Sequence, residues 1–233
     1  MNFIIRNLFL IFVLLCAVAC SSDENFAQSP LENIDFRVSV VGQSRVAIQK
    51  DGSGDFQVGD EVALRVYESQ PDKLQDKTLL HCEGKRWTSS LYWKDWEGTP
   101  HFYAVCPSAT QIEEGACWYV HRVNQNQSSE KDFLSSDLLV ADTEGQRYSP
   151  VNLDFRHAMS RVTVNIRNME ETLSDEERKQ MQVYVHGYLS GRFALSGNAV
   201  QAVGETGWIQ AFPMEEGSFA ALVVPGEMER FRT

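Results

Sequence analysis

The sequence predicts an all-β fold of the β-sandwich type, and three observations carry the prediction. Val151, Leu153 and Phe155 alternate with Asn152, Asp154 and Arg156, and Val162, Val164 and Ile166 alternate with Thr163, Asn165 and Arg167. A period of two puts one face of a strand in a core and the other in water, and the β-branched second half suits a pleated surface. Short segments of this kind recur along the chain with turn signals between them, at the spacing of about 8–12 residues typical of sandwiches. No internal repeat, low-complexity run or coiled-coil heptad interrupts the pattern.

Composition narrows the classes. The chain has 233 residues, 43% hydrophobic and 23% charged, which is globular composition. Its formal net charge is −11, so it lacks the basic balance that a nucleic-acid partner needs. An acidic balance suits a soluble secreted or surface protein.

The N-terminus reads as an export signal. Arg6 precedes the unbroken apolar run Leu8–Leu15, and Ala17-Val18-Ala19-Cys20 follows. This is a positive region, an apolar region and a small-residue cleavage site. The stretch from Leu8 to Cys20 is shorter than the roughly 20 residues that span a bilayer. A cysteine directly after small residues resembles a bacterial lipobox, so residues 1–19 are expected to be removed and Cys20 to be lipidated. Ser21-Ser22-Asp23-Glu24 resembles the acidic export tag of surface lipoproteins. Several acyl chains on one residue make a stable anchor in the outer membrane. The mature chain then keeps Cys82, Cys106 and Cys117 besides Cys20. A Cys106–Cys117 bridge is one option in an oxidising compartment. Free buried thiols are the other, and an odd number of cysteines favours it.

Residues 20–33 are polar and read as a tether. Ile34–Val41 alternates as a strand, and Arg45–Lys50 resumes it after a break. Asp51-Gly-Ser-Gly-Asp55 is a turn cluster that lacks the register and closing Glu of a calcium loop. Val62, Leu64 and Val66 mark the next strand, 69–77 a charged loop, and Leu79–His81 a short strand. Strands are expected at Trp87, Tyr92–Trp93, His101–Cys106, Trp118–Val123 and within Phe133–Ala141, with 124–132 as a polar loop. Ser174-Asp-Glu-Glu177 is a capping box that opens a short helix to about Met181. Gln182–Gly187, Val200–Val203, Trp208–Pro213 and Phe219–Val224 are further short strands, with a turn at Gly191-Arg192. A boundary near Asn168 divides a domain at 34–168 from a smaller one at 169–233.

Chemistry-bearing constellations do not emerge. The five histidines fall one per segment, and there is no His-Glu-x-x-His, Gly-x-Ser-x-Gly, Cys-x-x-Cys or phosphate loop. No catalytic residue, metal site or cofactor is expected. Trp87, Trp93, Trp96 and Trp118 invite a sugar-stacking reading, but core burial is the usual fate of such large apolar side chains. Trp96, between Asp95 and Glu97, is the one expected to be exposed and is the candidate ligand contact.

Phe56-x-Val-Gly-Asp60-Glu-Val-x-Leu-x-Val66, Tyr92-Trp93 with Phe102-Tyr-Ala-Val-Cys-Pro107, and Asp137-Leu-Leu-Val-Ala141 share an order that points further. With Val151-x-Leu-x-Phe155-x-His157-Ala-Met-Ser-Arg161-Val-x-Val-x-Ile166 and Ala221-Leu-Val-Val-Pro225, they resemble the fimbrillin-like family of type V pilins and accessory subunits. The resemblance implies tandem transthyretin-like, Greek-key β-sandwich domains and no enzyme. Family members usually continue with several more strands, so the second sandwich is expected to be incomplete. It further implies a lipidated precursor at the outer membrane, from which an Arg-directed protease removes the first strand. The vacated groove is refilled by an extended segment of the next subunit, because an open sheet edge offers unpaired N–H and C=O groups. Mapped here, Ile34–Val41 is the strand removed and Arg45 the cleavage position, since Arg37 lies inside the strand. The partners implied are other fimbrial subunits, the outer membrane, and host or bacterial surface ligands. The alternative is a non-polymerising surface lipoprotein that binds glycans or host ligands. His157 and Arg161 read as corner residues.

Overall fold

The computed structural model describes residues 33–41, 56–68, 74–112, 118–167, 173–195, 199–214 and 217–226. All of them belong to one compact unit, Leu31–Thr233. The export segment, Cys20, Arg45, the 51–55 turn and Cys117 lie outside the described residues. The protein is all-β, as expected.

A first set of strands closes on itself. It comprises β1 (Phe36–Val40), β2 (Glu61–Glu68), β3 (Leu74–Cys82), β4 (Trp87–Thr88), β5 (Pro100–Cys106), β8 (Leu139–Glu144) and β9 (Val151–His157). Their order is β1-β4-β3-β2-β5-β8-β9, and β1 pairs with both β4 and β9 to complete the ring. Alternation explains what fills it: Val62, Leu64, Val66, Phe102, Ala104, Val151, Leu153 and Phe155 all point inward. Each valine, leucine or phenylalanine among them contributes about 1.5–3 kcal/mol when fully buried.

The remaining strands form two open sheets. One has the order β10-β14-β13, from Ser160–Asn165, Ser218–Val223 and Phe212–Pro213. The other is β12-β11-β7-β6, from Val200–Gln210, Tyr184–Ala194, Trp118–Arg122 and Gln111–Ile112. They enclose a second core of Tyr119, Val185, Leu189, Phe193, Ile209 and the run Phe219–Val224. The outer face of the ring completes this core with Ala63, Tyr67, Tyr103, Val105 and Val140. β2 is therefore buried on both faces, which is why Val62-Ala-Leu is continuously apolar.

The two alternating halves of 151–166 belong to different sheets. β9 and β10 are not a strand pair: β9 pairs with β8 and β1, whereas β10 pairs with β14 from Ser160↔Val223 to Asn165↔Ser218. The chain changes sheets at Ala158–Met159, and Met159, Val162, Val164 and Ile166 join the second core. His157 Nδ1 sits 2.5 Å from Asp137 Oδ2 at this passage. Arg161 reaches out to Met214 Sδ at 3.0 Å.

Local expectations fare unevenly. The Ser174 capping box forms as read, with Glu177 N–H donating to Ser174 Oγ at 3.3 Å and Ser174 N–H to Glu177 Oε2 at 2.9 Å. The Ser174 N–H and the Ser174 hydroxyl, which donates to Glu177 Oε2 at 2.8 Å, hold the Glu177 carboxyl below its ordinary range. The expected 124–132 loop instead runs into a helix, Glu130–Ser135, capped by Ser129. The expected turn at Gly191-Arg192 is the interior of β11, which makes a long hairpin with β12. A Cβ at Gly191 would lie 2.6 Å from Val224 Cγ1, so the glycine serves close packing of two sheets rather than a turn. Tyr92–Trp93 is no regular strand, since Trp93–Asp95 is a single 3-10 turn.

Candidate functional site: the seam at strand β1

The ring is complete only because β1 bridges two partners, and it bridges them unequally. Toward β9 the pairing is parallel and spans five residues, Phe36↔Val151 to Val40↔Phe155. Toward β4 it is antiparallel and consists of Phe36↔Trp87 alone. An isolated bridge, Asn33↔Tyr92, and an Ile34 N–H to Leu91 O bond of 3.1 Å add to that side. Among the described residues, β1 from Arg37 onward therefore has a ladder on one edge only. Parallel pairing is slightly weaker per residue than antiparallel, so the longer contact is also the softer kind.

A cleft of about 360 Å³ runs beside the unladdered part of β1. Arg37, Val40, Phe56, Gly84, Lys85 and Trp87 line it. Phe56 stands edge-to-face against Trp87 at 5.0 Å and against Phe155 at 5.4 Å, which gives the cleft an aromatic wall. The lining thus joins two cations, Arg37 and Lys85, to an aromatic pair, Phe56 and Trp87.

What anchors β1 is apolar burial near its start. Ile34 is 3% and Phe36 2% exposed, and Phe36 meets the Phe102 ring edge-to-face at 5.5 Å. Beyond Phe36 the inward side chains, Val38 and Val40, are only half-buried. The Arg37–Asp35 pair, 3.9 Å apart and about two-thirds exposed on both sides, contributes little. Departure of β1 would uncover the row Val151, Leu153 and Phe155 and the open edge of β9.

Trp96 does not fit the role expected of it. The exposed stacking platform is ruled out, because Trp96 is 4% exposed and belongs to the ring core with Trp87 and Trp93. Its acidic neighbours face solvent while the indole turns inward after the 3-10 turn. The exposed tryptophan is Trp208, at 60%. Sequence reading overlooked it because Ile209 and Ala211 beside it look like core, which they are. Assigning Trp208 to the opposite face needs the register of β12.

The titratable groups do not converge. Burial pushes the Cys106 thiol up to about 12, with Asp60 and Asp137 adding to the effect. At neutral pH it is protonated and a poor nucleophile. Cys82 and Cys106 are both free thiols. His121 is buried with Nε2 3.0 Å from Ser136 O, and burial lowers its pKa. His101 stacks on Tyr103 at 4.4 Å, and His81 lies 3.0 Å from Glu61. Among the described residues no three His, Cys, Asp or Glu side chains gather where a metal ion would sit.

Comparison with known proteins agrees with the architecture. A fimbrillin-like family model matches residues 44–232, most of the chain. No curated protein sequence matches it. A solved structure from Bacteroides ovatus, described as that of a cell adhesion protein, is 16% identical with a TM-score of 0.54. The alignment covers 86% of this chain and 81% of that one. A structure from Bacteroides thetaiotaomicron, described as an adhesin, is 11% identical with a TM-score of 0.52, over 86% of this chain and 74% of that one. A fimbrial protein from Bacteroides ovatus is 17% identical with a TM-score of 0.48, over 85% of this chain and 43% of that one. At such identities the likeness is one of fold. The chain belongs to the fimbrillin-like family.

Proposed function

We propose that this chain is a structural or accessory subunit of a cell-surface fimbria, joined to its neighbour by strand exchange at the β1 seam. The observation that carries the reading is the lopsided pairing of β1: five residues against β9, one against β4. A segment held this way is the easiest to lift from a closed ring. An incoming strand recovers what is lost, by pairing with the β9 edge and filling the Ile34 and Phe36 positions. The chain order suits the step. β1 ends at Val40 and β2 begins at Glu61, so one cut between them, at Arg45, frees β1 from the rest. Arg37 is a poorer target because its backbone is paired with Asn152. Lipidation at Cys20 delivers the precursor to the outer membrane in this scheme, and the partners are other fimbrial subunits.

The test is to isolate surface filaments and sequence the N-terminus of the subunit in them. A new N-terminus at Val46 is expected. A chain still blocked at Cys20 within filaments would remove the cleavage step. Absence of the chain from filaments by immunogold electron microscopy would sink the subunit reading altogether. Against the alternative of a plain glycan-binding lipoprotein, burial takes away the Trp96 surface on which it rested.

A further inference from the structure

The outer face of the β11–β12 hairpin carries a feature that strand exchange does not use. β11 alternates strictly, with Val185, Gly187, Leu189, Gly191 and Phe193 inward and the residues between them outward. His186 lies opposite Trp208 in the register, and Tyr184 lies opposite Gln210. Cross-strand partners share a face, so one outer patch holds Trp208, His186 and Tyr184. Trp208 is 60% and Tyr184 48% exposed. Neither ring is loose: His186 meets the indole at 5.0 Å and 68°, and Tyr184 Oη donates to Gln182 Oε1 at 2.7 Å.

We infer that this patch is a binding site for a neutral glycan, with the Trp208 indole as the stacking platform. Three points favour a sugar. The first is area. Two rings exposed to this extent leave on the order of 250 Å² of aromatic surface in water, far below the roughly 800 Å² per partner of a stable protein interface but enough for one or two sugar rings. The second is chemistry. A pyranose presents a face of C–H groups that packs on the electron-rich face of an indole, and its hydroxyls need donors and acceptors around the rim. Tyr184, His186, Thr206 and Gln210 supply them, two residues apart along the same strands. The third is charge. The nearest ion pair on this face, Arg122 with Glu205 at 3.1 Å, is internally neutralised, and Arg122 also donates to Ser190 Oγ at 3.4 Å. The pair adds one charge of each sign to the rim, and both the guanidinium and the carboxylate remain able to bond hydroxyls.

Affinity electrophoresis of the purified protein through gels holding xyloglucan, galactomannan or yeast mannan tests the site, with heparin as the charged control. Retardation by at least one neutral polysaccharide is expected. Trp208→Ala should weaken it tenfold or more, and Trp208→Phe should retain part of it. Trp208→Thr, a residue suited to a strand, guards against a fold defect at Ala, and unchanged circular dichroism checks each variant. No retardation by any neutral polysaccharide overturns the inference, as does retardation by heparin alone or equal retardation of Trp208→Ala. A concentration-dependent self-association that Trp208→Ala abolishes would likewise overturn it, in favour of a protein partner. The outcome is independent of strand exchange, because β1 takes no part in it.

Discussion

The ring and the two open sheets solve the same problem in opposite ways. A sheet edge presents unpaired backbone groups that invite other chains. The ring closes most of its edges through β1, which pairs with β4 at Phe36 alone and with β9 along its length. The second assembly keeps its edges, and where the two-residue β13 stops short a single side chain continues the pairing along β14. Gln127 is fully buried, and its Nε2 donates to Leu222 O at 2.8 Å while Leu222 N–H donates to its Oε1 at 2.8 Å. Its own backbone N–H donates to Gln210 O at 3.0 Å. One amide thus stands where a neighbouring strand would, bridging β14 to the end of β12. The contrast teaches where this fold can change. A closed ring can exchange a strand only at its weakest seam, whereas the open assembly is locked by specific groups and offers a face rather than a gap.

The comparison can be broken most decisively at Phe36. Truncation to alanine removes a fully buried ring from the seam, and about 3–5 kcal/mol of stability should go with it. Urea unfolding reads this directly. A loss under about 1 kcal/mol would mean that β1 does not hold the ring closed. Next comes Gln127→Ala, which strands the N–H and C=O of Leu222 at about 1–3 kcal/mol for each group left bare. Faster amide exchange at Leu222, with the ring strands unaffected, is the expected signature. Gly191→Ala forces a methyl against Val224 and Phe193, and overpacking of this kind costs about 1–3 kcal/mol. A neutral result there would show that the two sheets have slack.

Acid gives a gentler test. Burial depresses the His121 pKa, so the unfolded chain binds a proton more readily than the folded one. The stability this histidine contributes is complete above its unfolded value of about 6.5 and is lost as pH falls below that. The urea midpoint of the wild type should therefore drop more between pH 7.5 and 5.5 than that of His121→Gln. Equal drops would remove His121 from the account. The smallest effect is expected at Arg37→Ala, within about 0.5 kcal/mol, because its ion pair with Asp35 is long and exposed. A larger loss would show that the rim of the β1 cleft contributes more to closure than its burial suggests.

How much was legible in the residues varies by element. The alternation in 151–166 was plain, yet nothing in it says that Phe155 and Val162 face different cores. The Ser174 capping box was read correctly because its signal is local and complete. The helix at Glu130–Ser135 was missed, although Ser129-Glu-Lys-Asp132 carries a similar cap with Asp at the third position. Gly191 was read as a turn because glycine marks both turns and close approaches, and only the position of Val224 distinguishes them. The candidate site suffered most. Trp96 looked wet from its charged neighbours and is buried, while Trp208, read only as the start of a short strand, is exposed. A one-residue change of register inverts such an assignment, and register is set by pairing.

By itself the sequence determined the all-β class, the positions of most strands and the family resemblance, because a period of two and a capping box are encoded within a few residues. Only the tertiary structure decided that β1 lies parallel to β9, that β9 and β10 part company, and that Gln127 replaces a strand. Those outcomes depend on residues about 95 to 115 positions apart meeting one another, Leu222 with Gln127 and Ser39 with Asp154. Such encounters are selected by the free energy of the whole core, to which no short stretch of chain has access.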